Sequence, residues 1–385
     1  MNPTSVQASE REPRELLLYL LRCALWGRPV DWTEAPDAAT WTRIRQLAGT
    51  QGVTALMWEV VERLPGRLAP PREERLRWAF ETRRIEQRWQ RQQRCVARLA
   101  AFYARHGIRM MLLKGCGLSL DYRVPSHRPC GDVDIWLFGR QPEADALLTR
   151  EWGIAVDTSK EHHTTFRLDD IPVENHYDFL NTRSSAANRR LERRLKSLAA
   201  RPEESFTAGF TPVFLPPPTF GALFLLRHAA GHFAACGIGL RHLVDWTLFV
   251  VRRHDRIDWT EVERTARETG MEPFFAGLQA LCVDHLGLDP ALIPPFRRDP
   301  ELEERMLGAL LGARMAVGIP QGRLAGISFR LRRWWRFRWM RRMVSDEPLV
   351  LGFLRMTWLH VKRHLPLFVS CEAAGRRRRA RGISG

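Results

Sequence analysis

Residues 111–138 read MLLKGCGLSLDYRVPSHRPCGDVDIWLF. One apolar run ends in Lys114-Gly115, a loop holding Pro125 and Pro129 follows, and a second apolar run is entered through Asp132 and interrupted by Asp134. Short runs of this kind, bounded by glycine and proline, predict two strands with a short helix or turn, CGLSLDY, between them. Alternate residues of a strand share a face, so Asp132 and Asp134 present their carboxylates side by side, about 7 Å apart along the backbone. Like charges that close are costly without a cation to share. The pair reads either as a divalent-metal site or as a solvated strand edge, and Asp-x-Asp alone does not choose.

Working outward, the chain is helical on the N-terminal side. Apolar residues recur at helical spacing in ELLLYLLRCALW, in WTRIRQLAGTQGVTALMWEVVERL and in a long segment from REERL to ARHG, which Gly107 stops. On the C-terminal side QPEADALLTREWG predicts a helix. HTTFRLDD and IPVENHYDFL then predict a hairpin turning at Asp169-Asp170. Past residue 184 the pattern is helical again, through NRRLERRLKSLAA, FGALFLLRHAAGHFAAC, LRHLVDWTLFVVRR, DWTEVERTARETG and MEPFFAGLQALCVDHLG. The expected fold class is α+β, a small mixed β-sheet core embedded between N-terminal and C-terminal helical regions. The boundaries expected are 1–106 for the N-terminal helices, 107–183 for the core, 184–322 for the C-terminal helices and 323–385 for a basic, aromatic-rich tail.

The 385 residues carry 60 basic against 43 acidic side chains, a net +17, which favours anionic partners without choosing among them. Hydrophobic residues make up 45% of the chain, too many for a disordered one. Lysine occurs only at Lys114, Lys160, Lys196 and Lys362, so the one inside the motif is informative. Seven cysteines form no C-x-x-C pair and read as reduced thiols. No signal peptide and no apolar run long enough to span a bilayer is found, so the expected location is cytoplasmic, with a peripheral position at the inner membrane surface as the alternative.

A third carboxylate, Glu174, stands in the apolar-flanked IPVENHY, where a charge needs a partner. Three carboxylates on a small sheet, with Lys114 and Arg128 beside them and Gly115 letting backbone approach phosphate, are what two-metal phosphoryl chemistry requires. The segments LLKGCGLSLDY, RPCGDVDIWLF and IPVENHYDF resemble a bacterial family described as uncharacterised nucleotidyltransferases, within the polymerase-β-like nucleotidyltransferase superfamily. Leu113-Lys114-Gly115, Tyr122, Arg128, Asp132-Val133-Asp134 and Val173-Glu174-x-His176 carry the resemblance, and LLRHAAGHF and LRHLVDW extend it over most of residues 12–260. It implies Mg²⁺-dependent transfer of a nucleoside monophosphate from an NTP to an unidentified acceptor: a small molecule, a glycan precursor or a protein. Asp132, Asp134 and Glu174 would be catalytic and hold two Mg²⁺ ions, or Mn²⁺, while Lys114, Gly115 and Arg128 would bind the nucleotide. The superfamily more often has Gly-Gly or Gly-Ser where this chain has Lys114-Gly115-Cys116. A non-catalytic nucleotide-binding module and an RNA-terminal nucleotide-adding enzyme are the alternatives.

His176 follows Glu174 at the spacing that shares a strand face, so it and His163 are candidates for the acceptor side or for supporting the carboxylates. His162 lies next to them. His228, His232 and Cys236 fall on one helix face, which suits zinc or plain packing, and His242 and Asp245 carry the same ambiguity. FRLRRWWRFRWMRRM (329–343) alternates arginine with aromatics. It reads as an amphipathic helix packed on the domain, as a contact to an anionic membrane, or, less favoured, as a nucleic-acid surface.

Overall fold

A computed structural model describes residues 12–183, 185–202, 204–235, 237–312, 331–332 and 334–345. The chain divides into two compact units, Met1–Val317 and Gly318–Gly385. In the first, α1 (Pro13–Trp26) opens on a proline, which needs no N–H partner there, and stops at Gly27 with φ 64°. Helix α2 (Ala38–Gln51) is capped by Asp37, whose side chain accepts from the Thr40 amide at 2.7 Å. Helices α3 (Thr54–Val61) and α4 (Arg72–Arg105) complete this layer. Trp41 is held between Trp32 and Trp78, with ring centroids 5.9 and 6.4 Å away.

The sheet has six strands: β1 (Met111–Leu112), β2 (Val133–Trp136), β3 (His163–Leu168), β4 (Ile171–His176), β5 (Glu204–Ala208) and β6 (Thr211–Leu215), in the order β3-β4-β2-β1-β6-β5. It is mixed: β2 runs parallel to β4 and β1 to β6, and the other neighbours are antiparallel. The α+β class is therefore as expected. Short α5 (Cys116–Ser119) follows β1, and α6 (Gln141–Trp152) follows β2. Strand alternation sends Val133, Ile135, Val173 and Phe166 into one apolar cluster with Leu99, Phe102 and Tyr103 of α4 and Leu148 of α6. The β3–β4 turn is made by Asp169 and Asp170 at φ 49° and 63°, a left-handed conformation that aspartate tolerates.

One element departs from the sequence reading. ESFTAGFTPVFL (204–215) was expected within a helical region, but it forms the β5–β6 hairpin and widens the sheet beyond residue 183. Ala208, Val213 and Leu215 join the cluster beside α4, Gly209 turns at φ 64°, and the Phe214 amide donates to the Met110 carbonyl at 2.9 Å. Pro212, which argues against a strand, sits at an exposed position facing Thr207.

Helices α7 (Ala186–Ala199), α8 (Pro218–Ala235), α9 (Leu240–Arg253), α10 (Trp259–Glu268) and α11 (Glu272–Leu281) follow the expected segments, and α12 (Pro300–Leu311) adds a helix that no named segment covers. Of the second unit, Arg338–Arg342 is helical, and the Arg338 guanidinium lies 4.5 Å over the Trp335 ring. Residues 313–330, 333 and 346–385 lie outside the described residues. Among the described residues no helix is long and apolar enough to cross a membrane.

Candidate active site

The parallel β2–β4 register sets Asp134 opposite Glu174 and Trp136 opposite His176, and antiparallel β3 sets His163 opposite His176. Their shared face is the one turned away from the apolar cluster on α4, because the intervening residues Val133, Ile135 and Val173 are in that cluster. Asp134 is fully buried there. Its Oδ1 lies 3.0 Å from the Lys114 ammonium and 3.2 Å from His176 Nε2. His176 Nε2 is also 3.5 Å from Glu174 Oε2, and His163 Nε2 is 3.7 Å from Glu174 Oε1. Asp132, half-buried, immediately precedes β2 and adds its charge to the same group.

The electrostatics follow from that crowding. Burial pushes Asp134 up, but Lys114 and His176 beside it outweigh burial and hold the carboxyl well below its ordinary range. Burial, with Asp134 next to it, pushes Asp132 up. Burial would lower the Lys114 ammonium, yet Asp134, Asp132 and Glu174 together raise it. His176 behaves likewise: burial opposes its charge, and its bonds to Asp134 and Glu174 lift it to about 9. Its other nitrogen, Nδ1, donates to the Asp178 carbonyl at 3.2 Å, which fixes the ring with Nε2 toward the carboxylates.

Gly115 borders the same face. Its φ of 59° favours glycine, and a Cβ there would stand 3.4 Å from the Asp132 carbonyl oxygen and 3.9 Å from Asp134 Oδ2. The Lys114-Gly115 turn and the strand entry at Asp132 are thus in direct contact. Arg128, expected among the nucleotide-binding residues, is drawn into a different set of bonds. Its Nε and one terminal nitrogen donate to the two oxygens of Asp245 in α9, each at 2.8 Å. Its other terminal nitrogen donates to the Gly115 carbonyl at 3.1 Å and to Cys130 Sγ at 2.9 Å. Tyr122 also donates to Asp245, at 2.8 Å. Asp245 therefore neutralises Arg128 and ties the helical region to the Gly115 turn. Sequence reasoning left Asp245 undecided, since its partners lie more than a hundred residues away. The signal was present in the co-occurrence of Tyr122, Arg128 and LRHLVDW.

Lys114, Gly115, Asp132, Asp134, Glu174, His163 and His176 are thus brought together. Among the described residues two groups place donor atoms within 4.8 Å of one another, as a metal ion requires: Asp134, Glu174 and His176, and His162, His163 and His176. Asp132 is outside both groups. The fit to a cation has a direct sign: Asp134 Oδ2 is buried and has no hydrogen-bond partner. His228 and His232 meet edge-on at 4.4 Å between ring centroids, and His242 is stacked 6.3 Å from His228. Their proposed companion Cys236 lies outside the described residues. His228, His242 and Asp245 line a cavity of about 30 Å³ that Lys114 and Arg128 also border, room for about one water.

No curated protein and no solved structure matched the chain. A family described as "Uncharacterised nucleotidyltransferase" matches residues 37–287, which takes in α2 through the end of α11, the whole sheet and every residue placed above. The match covers well over half of the sequence, and the chain belongs to the uncharacterised nucleotidyltransferase family.

Proposed function

We propose that this protein transfers a nucleoside monophosphate from an NTP to an acceptor hydroxyl or phosphate, at the face formed by β2, β4 and the Lys114-Gly115 turn. The observation that carries the reading is the cross-strand pair Asp134 and Glu174 with an unpartnered buried oxygen on Asp134, beside a glycine turn and a buried lysine. Asp132, Asp134 and Glu174 would hold the divalent cations, Mg²⁺ by their all-oxygen character, with Mn²⁺ as a substitute. Bound there, the metal would offset triphosphate charge and make the acceptor oxygen a better nucleophile.

The chain's own residues supply the rest. Lys114, 3.0 Å from Asp134, is placed to exchange that carboxylate for a phosphate oxygen while staying charged. Gly115 leaves space for phosphate to approach the backbone. Arg128 and Asp245 hold the Gly115 carbonyl in place, and His176 and His163 orient Glu174. In the transfer the acceptor oxygen bonds to the α-phosphorus, the bond from that phosphorus to the β-phosphate bridge breaks, and pyrophosphate leaves. Glu174, its side chain 24% exposed, would take the acceptor's proton. The motif likeness supports placement in the polymerase-β-like superfamily. The 329–343 stretch is proposed to rest on an anionic membrane surface, where a membrane-linked acceptor would be found.

The test is calorimetry of the full chain with non-hydrolysable ATP, GTP, CTP and UTP analogues, with and without Mg²⁺. Metal-dependent binding of at least one analogue, lost in Asp132→Asn/Asp134→Asn, is expected. No binding of any analogue, or binding unchanged in the variant, would overturn the reading.

A further inference from the structure

The second donor group, His162, His163 and His176, shares His176 with the first and adds two imidazoles that hold no cation in the proposed transfer. We propose that these three imidazoles form a site, adjoining the carboxylates and sharing His176 with them, for one divalent transition ion of the zinc class, Zn²⁺ or Co²⁺, with His176 Nε2 turning from Asp134 and Glu174 to the ion. Their ring centroids lie 4.4, 5.1 and 5.7 Å apart, and one nitrogen of each is within 4.8 Å of the others. Ligand nitrogens at about 2.0 Å from a tetrahedral ion are about 3.3 Å apart, so small rotations of the rings close the site.

Two further observations point to a ligand. The Nδ1 atoms of His162 and His163 are both buried and lack a hydrogen-bond partner, and His163 is only 8% exposed. A buried imidazole nitrogen left without a partner is costly, and a cation is one way to satisfy it. His176 already donates its Nδ1 hydrogen to the Asp178 carbonyl, the outer contact that typically orients a metal-binding histidine. His162 is fixed by its backbone as well, since its carbonyl accepts from the Tyr177 and Asp178 amides at 3.2 and 3.0 Å. Three nitrogens with Glu174 on one side leave a fourth position open. Imidazole nitrogens suit Zn²⁺ and Co²⁺ over Mg²⁺, whereas the neighbouring carboxylates suit Mg²⁺.

The site needs no nucleotide, so it can be tested apart from nucleotide transfer. Chelator-treated full-length protein is titrated with Co²⁺ alone, followed by the visible bands of four-coordinate cobalt. One equivalent is expected to bind, to be displaced by Zn²⁺ and to resist a thousandfold excess of Mg²⁺. His162→Gln and His163→Gln, made singly, should each weaken Co²⁺ binding at least tenfold. Zn²⁺ should raise the melting temperature of the parent protein and not of these variants, which also reports whether they fold. Asp134→Asn should keep the cobalt bands. No bands in the parent protein, bands that survive both histidine variants, or bands lost in Asp134→Asn would each overturn the proposal. Calorimetry of Mg²⁺-nucleotide binding, run on the chelator-treated parent protein, reads the carboxylate site with no ion on the histidines.

Discussion

Removing the Asp245 carboxylate is expected to destabilise the first unit severely. In Asp245→Ala the Arg128 guanidinium, whose side chain is 7% exposed, stays charged and buried but loses both acceptors of its paired donors. Burial pushes Asp245 up, and Arg128 beside it outweighs that and holds the carboxylate ionised, so the pair is a true ion pair at neutral pH. Breaking a buried pair from one side costs about 3–5 kcal/mol, and the Tyr122 hydroxyl loses its acceptor as well. A total of about 4 kcal/mol, at a urea slope of about 3 kcal/mol/M, moves the unfolding midpoint down by about 1.3 M. The assay is urea unfolding of the parent protein, Asp245→Ala, Arg128→Met and the double variant Arg128→Met/Asp245→Leu. The double variant should be more stable than Asp245→Ala, because no charge is left unpaired. A midpoint shift below about 0.3 M for Asp245→Ala, or a double variant no better than it, would refute the reasoning.

Gly115→Ala forces a side chain into a left-handed turn 3.4 Å from the Asp132 carbonyl oxygen, so Mg²⁺-dependent nucleotide affinity should fall about tenfold or more by calorimetry. Lys114→Met should weaken triphosphate binding more than monophosphate binding in the same assay, since the lost charge is on the phosphate side. His127 bonds to Glu59 at 2.8 Å and Glu86 at 3.3 Å. Burial would lower its pKa, but Glu59 and Glu86 raise it above the ordinary histidine value. A raised folded value means the contribution is complete below the unfolded pKa of about 6.5 and is lost as pH climbs through the folded one. Melting temperatures between pH 5.5 and 8.5 should therefore fall less steeply for His127→Gln than for the parent, and equal slopes would count against the pairing.

Much of this molecule was readable before any coordinates. The Asp-x-Asp spacing, the Lys-Gly turn and the Asp169-Asp170 hairpin are local signals, and local signals set strand faces through a period of two. That is why Asp134, Glu174 and His176 could be expected on one face. The β5–β6 hairpin was hidden because Pro212 breaks the strand pattern and because its pairing with β1 depends on residues about a hundred positions away. The use of Arg128 was hidden for the same kind of reason. Charge and sequence position suggest phosphate, and the structure adds a carboxylate in α9 that accepts from Nε and one terminal nitrogen. Nothing local to Arg128 announces Asp245. The spacing of His162 and His163 likewise places them on opposite sides of an ideal strand, and only the start of β3 at His163 frees His162 to turn toward its neighbours.

The most direct test of nucleotidyl transfer is the fate of two labels. Purified protein is incubated with Mg²⁺, a heat-inactivated extract of cells that lack it, and NTPs labelled either at the α- or at the γ-phosphate. The account expects the α-label to move to an acceptor and the γ-label to appear in pyrophosphate, both only with the parent protein and not with Asp134→Asn. Transfer of the γ-label to an acceptor, or α-transfer equal in Asp134→Asn, would contradict it.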